Sequence, residues 1–269
     1  MAIHATEAKA ISLIGVDYAW LRTRDGGDLY LTRFGAPFGN HLAPENWYAS
    51  DWFTARRVRL AGTSVIYKLP TRPVCGTSLD LVVRFSRVGE EIPLDPLLLS
   101  QNLQTEFNSP FEEIALVMEL RAGSVGTSRP RIFTKKPLAI YVPPERLEDW
   151  QTGRLESKMA VKLARHPEAR LDTSRQYILL YGWIDGLNAV QAAQALAMAP
   201  DPAKQFLSEV TRNAISDLAS HGFRMLDIKP EHVVLRIRPD GSLLRRAGNP
   251  CYALVDYELL ERISQTCAS

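Results

Sequence analysis

The sequence predicts an α+β fold in two lobes, a strand-rich first part followed by a more helical second part. Three observations carry this. Between Arg56 and Phe85, short apolar segments are separated by turns containing Gly62 and Gly76, the pattern of antiparallel strands. One strongly signalled helix, residues 111–121, sits within the strand-rich part. After Gly186 come two helical segments, and then two short runs around Val233–Leu235 and Tyr252–Val255 that read as a late hairpin.

Residues 1–52 read as an N-terminal extension packed on the rest of the chain, with Leu29–Phe34 as a strand and Gly35–Pro44 as turns. From Phe53 the pattern turns to strands. Arg56–Ala61 and Val65–Leu69 flank Gly62-Thr63-Ser64 as a hairpin, and Leu81–Phe85 comes after the turn at Cys75–Ser78. Ser109 as N-cap, Pro110 at the first helical position and Glu112 and Glu113 in the first turn open the helix Phe111–Arg121, which Gly123 stops. Arg131–Val142 reads as a strand. Leu147–Arg165 reads as one helix, with Trp150, Leu155, Met159 and Leu163 in a broad stripe. That stripe is read as core or inter-lobe packing, and the segment 147–166 is also the best candidate for a partner surface. Gln176–Ile184 is a buried strand ending at Asp185-Gly186. Ala189–Met198 and Ala203–Ser220 are helices on either side of Pro200-Asp201-Pro202.

With 269 residues, 46% of them hydrophobic, the chain can bury a full core as one large domain or two lobes. The net charge of +2 gives no concentrated basic character, so no nucleic-acid partner is expected. No apolar run approaches the roughly 18 residues needed to cross a bilayer. Glu7, Lys9 and Asp17 are scattered through a start that does not read as a signal peptide, so no membrane association is expected. Cys75, Cys251 and Cys267 are too widely spaced for a disulfide framework or a metal knuckle, which makes the cytoplasm the expected compartment.

The most informative stretch is Leu218–Leu235. An amphipathic helix runs into it, a strand runs out, and Asp227 and Lys229 lie two apart on the turn between. It resembles the catalytic loop of protein kinases. Tyr252-Ala-Leu-Val-Asp256-Tyr-Glu258 resembles the strand and metal-binding Asp that come after that loop. Upstream, Gly62–Lys68 resembles the second half of a Gly-rich phosphate loop, and Arg84 stands at the position of the strand lysine. Glu113 best matches the helix glutamate that pairs with that cation, with Glu112 as its competitor. Tyr181-Gly-Trp183 resembles the hinge where adenine meets the backbone.

The resemblance implies a two-lobed protein kinase-like fold with a truncated C-lobe. The expected division is an extension at 1–52, an N-lobe at 53–186 with a helical insertion at 147–166, and a shortened C-lobe at 187–269. It implies ATP as ligand in the cleft between the lobes, with Mg²⁺ as the metal and Mn²⁺ as its substitute. It also implies an unidentified protein or small-molecule acceptor. Asp227 would orient the acceptor hydroxyl and take its proton, Lys229 would neutralise the moving phosphoryl group, and Asp256 would hold the metal. His232 stands where the family has a metal-binding Asn, and imidazole favours Mn²⁺ or Zn²⁺ over Mg²⁺. It reads either as a second metal ligand or as a satisfied, packed histidine. Arg84 keeps the charge but not the shape of a lysine. Met225-Leu226 and Tyr257-Glu258 replace the family's polar scaffold and Phe-Gly, and the chain ends at Ser269, shortly after Asp256. Three functions are compatible with this pattern: an atypical serine/threonine kinase-like phosphotransferase, a pseudokinase acting as a nucleotide-gated interaction module, and a small-molecule kinase.

Overall fold

The structure is a computed structural model that describes residues 8–62, 64–92, 106–123, 132–246 and 248–263. The chain is α+β and divides into two compact units. The first takes Met1–Ala115 and Lys136–Trp183, the second Leu116–Lys135 and Ile184–Ser269.

The first unit opens with β1 (Lys9–Leu13), β2 (Val16–Arg22) and β3 (Asp28–Leu31), then the short helices α1 (Gly39–Leu42) and α2 (Ser50–Arg56). Strands β4 (Val58–Arg59), β5 (Ile66–Pro70) and β6 (Asp80–Phe85) come next, and then helix α3 (Pro110–Ala122). Past β7 (Phe133–Thr134), which belongs to the second unit, come β8 (Pro137–Val142), α4 (Asp149–Thr152), α5 (Glu156–Arg165) and β9 (Ile178–Gly182). Eight of these strands form one antiparallel sheet in the order β1-β2-β3-β8-β9-β6-β5-β4. Leu29 and Leu31, Leu81 and Val83, and Ile178 and Leu180 are alternate residues of their strands, so each pair shares one face and joins the same core. Trp47 closes that core, its indole N–H donating to the Leu42 carbonyl at 2.9 Å and its ring meeting Tyr141 edge-on.

Residues 9–31, expected as part of an extension packed on the rest, supply three strands of the first sheet, where β3 pairs residue for residue with β8 and carries buried leucines into the core. The structure corrects two further expectations. Arg56–Ala61 is strand only at β4, since Ser50–Arg56 is helical. Trp52 and Phe53 hold that helix in place, Phe53 buried in the core and the Trp52 indole N–H donating to Pro70 at 2.8 Å. Leu147–Arg165 is two helices, because Gly153 lies between them at φ +63°, in the left-handed region that ends a helix. The apolar stripe divides with it: Met159 is buried, whereas Trp150 is 82% exposed.

The inward position near Met159 is instead taken by Lys162, which is 2% exposed. Its ammonium lies 3.0 Å from Glu112 in the first turn of α3. Ser109 and Glu112 form a capping box there, the Glu112 amide donating to Ser109 Oγ at 3.2 Å and the Ser109 amide to Glu112 Oε2 at 2.7 Å. Burial alone would raise the Glu112 carboxyl, but the Lys162 ammonium and the Ser109 bonds hold it below the usual carboxylate range. A carboxyl depressed on folding contributes stability above its unfolded value and loses it as pH falls through the folded value. Urea unfolding should therefore show stability falling with pH below about 4.3. Glu112→Gln should lower stability at neutral pH and flatten the acid slope. An unchanged slope would mean that the ion pair contributes nothing.

In the second unit, the latter half of α3 is joined by β10 (Leu187–Asn188), α6 (Ala189–Ala195) and α7 (Pro200–Ser220). Strands β11 (Phe223–Met225), β12 (Val233–Leu235), β13 (Arg245–Arg246), β14 (Asn249–Pro250), β15 (Tyr252–Leu254) and β16 (Leu260–Arg262) complete it. One sheet runs β10-β12-β15-β7, and β11 pairs with β16. The expected strand at 131–142 is two, β7 in this unit and β8 in the first, and Arg131 lies outside the described residues. Thr63, Cys267 and Ser269 also lie outside them. Among the described residues no helix is long and apolar enough to cross a membrane.

Candidate functional site

The motif loop is held at both ends. Helix α7 buries Val210, Ala214 and Leu218 at helical spacing, and β11 then pairs with β16. The chain turns through Leu226–Lys229, with the Leu226 amide donating to the Leu259 carbonyl. Pro230 opens a single 3₁₀ turn, where its missing N–H leaves no donor unused, and β12 then runs against β15. The Val255 amide donates to the His232 carbonyl at 3.0 Å, which places His232 and Asp256 side by side at the ends of paired strands.

Asp227 and Lys229 form an ion pair, Nζ to Oδ2 at 2.9 Å, with 34% and 54% of their side chains exposed. So exposed a pair holds its members together by no more than about 1 kcal/mol. The ammonium is therefore available to another anion.

His232 Nε2 lies 3.5 Å from Asp256 Oδ2, too long for a good hydrogen bond. His232 Nδ1 and Asp256 Oδ1 are both buried without a hydrogen-bond partner among the described residues. Asp256 sits at φ +71°, a left-handed conformation that costs a non-glycine residue about 1–3 kcal/mol. Strain and an unpartnered buried carboxylate oxygen meet in one residue. Beside it in the chain, the fully buried Tyr257 hydroxyl accepts from the Lys135 amide at 2.8 Å and donates to the Leu254 carbonyl.

No cluster of three metal-ligating side chains occurs among the described residues. Mg²⁺ commonly binds through one or two carboxylates and completes its shell with water and substrate phosphates, so a single carboxylate is compatible with its chemistry. Asp256 Oδ1 is the oxygen that could serve. His232, already beside Oδ2, is the weaker donor for a hard cation.

The remaining candidates lie in the first unit. Arg84, on β6, pairs with Glu113 on α3; they are 4% and 1% exposed. The Tyr181 hydroxyl donates to the other carboxylate oxygen at 2.5 Å, so both oxygens of Glu113 are engaged. Glu112, one residue earlier, faces Lys162, which answers which of the two acids meets the strand cation. At the expected hinge, the Gly182 amide donates to Lys136 and the Trp183 amide to Asp80, while the Trp183 ring carries the Lys68 ammonium 4.4 Å from its centre. Gly62 is exposed at φ +140°, a conformation only glycine adopts readily.

Sequence reasoning missed Lys162 and the role of Tyr181 in capping Glu113. The second acid in the α3 first turn was the one available signal for Lys162. No protein-family model matches the chain, and no curated protein matches it in sequence.

Proposed function

We propose that the chain is an atypical, protein kinase-like phosphotransferase of two lobes that moves the γ-phosphoryl group of ATP to a hydroxyl acceptor. The observation that carries this is the loop pairing Asp227 with Lys229 at 2.9 Å, together with the strained, half-partnered Asp256. The bond from the γ-phosphorus to the β-phosphate oxygen breaks, a bond to the acceptor oxygen forms, and ADP leaves. Asp227 accepts the acceptor's proton. Lys229 exchanges its weak bond to Asp227 for the charge on the moving phosphoryl group. Asp256 would hold Mg²⁺, which when bound neutralises charge on the phosphates.

A second reading, a nucleotide-gated interaction module, is favoured by the burial of Arg84, which is 4% exposed where the resemblance would have its cation reach the ATP phosphates.

The test is a thermal-shift titration with ATP, with and without Mg²⁺ or Mn²⁺, on the chain and on Asp256→Asn. Asn is chosen because it tolerates positive φ better than Ala. Ligand at about 100 times Kd adds roughly 2.7 kcal/mol, a rise of several degrees for a chain of this size. A metal-dependent rise that Asp256→Asn loses is the expected result. No rise with any nucleotide or metal overturns the proposal.

A further inference from the structure

The first unit carries a cationic surface that the phosphotransfer reading does not use. Helix α2 and strand β4 run together as Trp52-Phe53-Thr54-Ala55-Arg56-Arg57-Val58-Arg59, and four arginines lie over aromatic rings there. Arg56 and Arg72 both stand over Trp52, at 5.2 and 5.6 Å from the ring centre. Arg57 stands over Phe53 and Tyr67, and Arg59 over Tyr67, at 5.0–5.5 Å. Phe53 and Tyr67 pack edge-to-face, which joins the Arg57 and Arg59 contacts, and Trp52, with Arg56 and Arg72, is the chain neighbour of Phe53.

Arg72 meets Asp51 at 2.8 Å, but Arg56, Arg57 and Arg59 face no carboxylate within ion-pair distance among the described residues. Like charges gathered on a shared set of rings repel one another. A guanidinium stacked on a ring keeps its edge donors exposed and already oriented, the geometry that suits a carboxylate fork.

The backbone adds a direction. β4 is the last strand of its sheet, so its outer edge is unpaired among the described residues. Leu60 donates to Ile66 across the β4–β5 pair at 3.0 Å. The alternation of an antiparallel ladder therefore turns the amide and carbonyl of Arg59 to the open side. Arg57 and Arg59 lie two residues apart in extended chain, about 7 Å along it. An extended peptide with an acid at every second residue presents carboxylates at that same repeat.

We propose that this edge binds an acidic protein segment as an added strand. Its backbone would pair with Arg59, and its alternate carboxylates would be held by Arg57, Arg59 and the neighbouring Arg56. The patch is a short edge interrupted by Asp51 rather than a long basic stripe, and the chain as a whole is only +2, which favours a peptide over a nucleic acid.

The test is fluorescence anisotropy with a short labelled peptide of alternating glutamate and valine. An oligonucleotide and phosphatidylserine vesicles run as separate arms. The alternating peptide should bind more tightly than one of equal composition with its glutamates in a block. Arg57→Glu with Arg59→Glu should weaken binding by at least about tenfold. Arg59→Lys, which keeps the charge and loses the fork, should fall between. Both arginines are exposed, so circular dichroism should show these variants folded. Unchanged affinity in the double variant, equal binding of the block peptide, preference for the oligonucleotide or the vesicles, or no peptide binding would each overturn the proposal.

Discussion

Asp227→Asn should lower γ-phosphoryl transfer by about 10²–10⁴-fold, the usual contribution of a positioned general base. The substitution keeps the shape of the side chain and an oxygen that can accept from Lys229, which lies 2.9 Å from Asp227 Oδ2. It removes the group that takes the acceptor's proton. The Asp227 side chain is about one-third exposed and its bond to Lys229 is a weak surface pair, so folding should be little affected. Nucleotide-induced thermal stabilisation should therefore persist while transfer of radiolabelled phosphate is lost. Equal transfer by the variant would remove Asp227 from the chemistry. Supplying a protein mixture in one reaction and a metabolite pool in another would show which class of acceptor the wild-type chain labels.

Glu113→Ala should destabilise the first unit by about 3–5 kcal/mol, the cost of stripping one partner from a buried ion pair. The carboxylate meets Arg84 through one oxygen and the Tyr181 hydroxyl through the other, and all three residues are buried. Truncation leaves a buried guanidinium and a phenol without that acceptor. At roughly 2–4 °C per kcal/mol, the melting point should fall by about 10 °C. Glu113→Gln should cost less, since its amide oxygen can still accept one bond. Arg84→Met combined with Glu113→Leu should cost much less than the sum of Arg84→Met and Glu113→Leu made singly, because no charge is then buried unpaired. Urea unfolding of this set measures the coupling. Additive losses would mean that the pair is not a unit.

What the sequence made legible was local. Ser109, Pro110 and the two glutamates after Phe111 announce the start of α3 because capping is decided within one turn. The apolar runs 81–85, 233–235 and 252–254 announce β6, β12 and β15 because a buried strand needs little beyond β-branched and leucine side chains. What stayed hidden depended on distant partners. Lys162 looks like a solvent-facing lysine until Glu112, fifty positions earlier, is brought beside it. Ser50–Arg56 lacks a side-chain cap and continues into an arginine alternation, so its helix depends on where Trp52 and Phe53 dock. Strands β1–β3 could not be joined to the sheet from their own pattern, because their place rests on β3 meeting β8 more than a hundred residues later. Within the candidate site, Asp227, Lys229 and Asp256 were legible as a spacing. The left-handed backbone of Asp256 and the His232 ring nitrogen that has no partner among the described residues were not.

The consecutive acids Glu112 and Glu113 have a consequence for the azimuth of α3. Neighbouring side chains on a helix point about 100° apart, and these two engage buried cations on different elements, Lys162 on α5 and Arg84 on β6. Together they act as a two-pronged key. A slip of one residue would swing both carboxylates away from their sockets at once and take each from its buried cation. The helix is thus fixed against rotation about its own axis by charge, where its apolar face alone would tolerate a small turn. An inserted residue ahead of Ser109 should be absorbed more easily than one placed between Ser109 and Glu113.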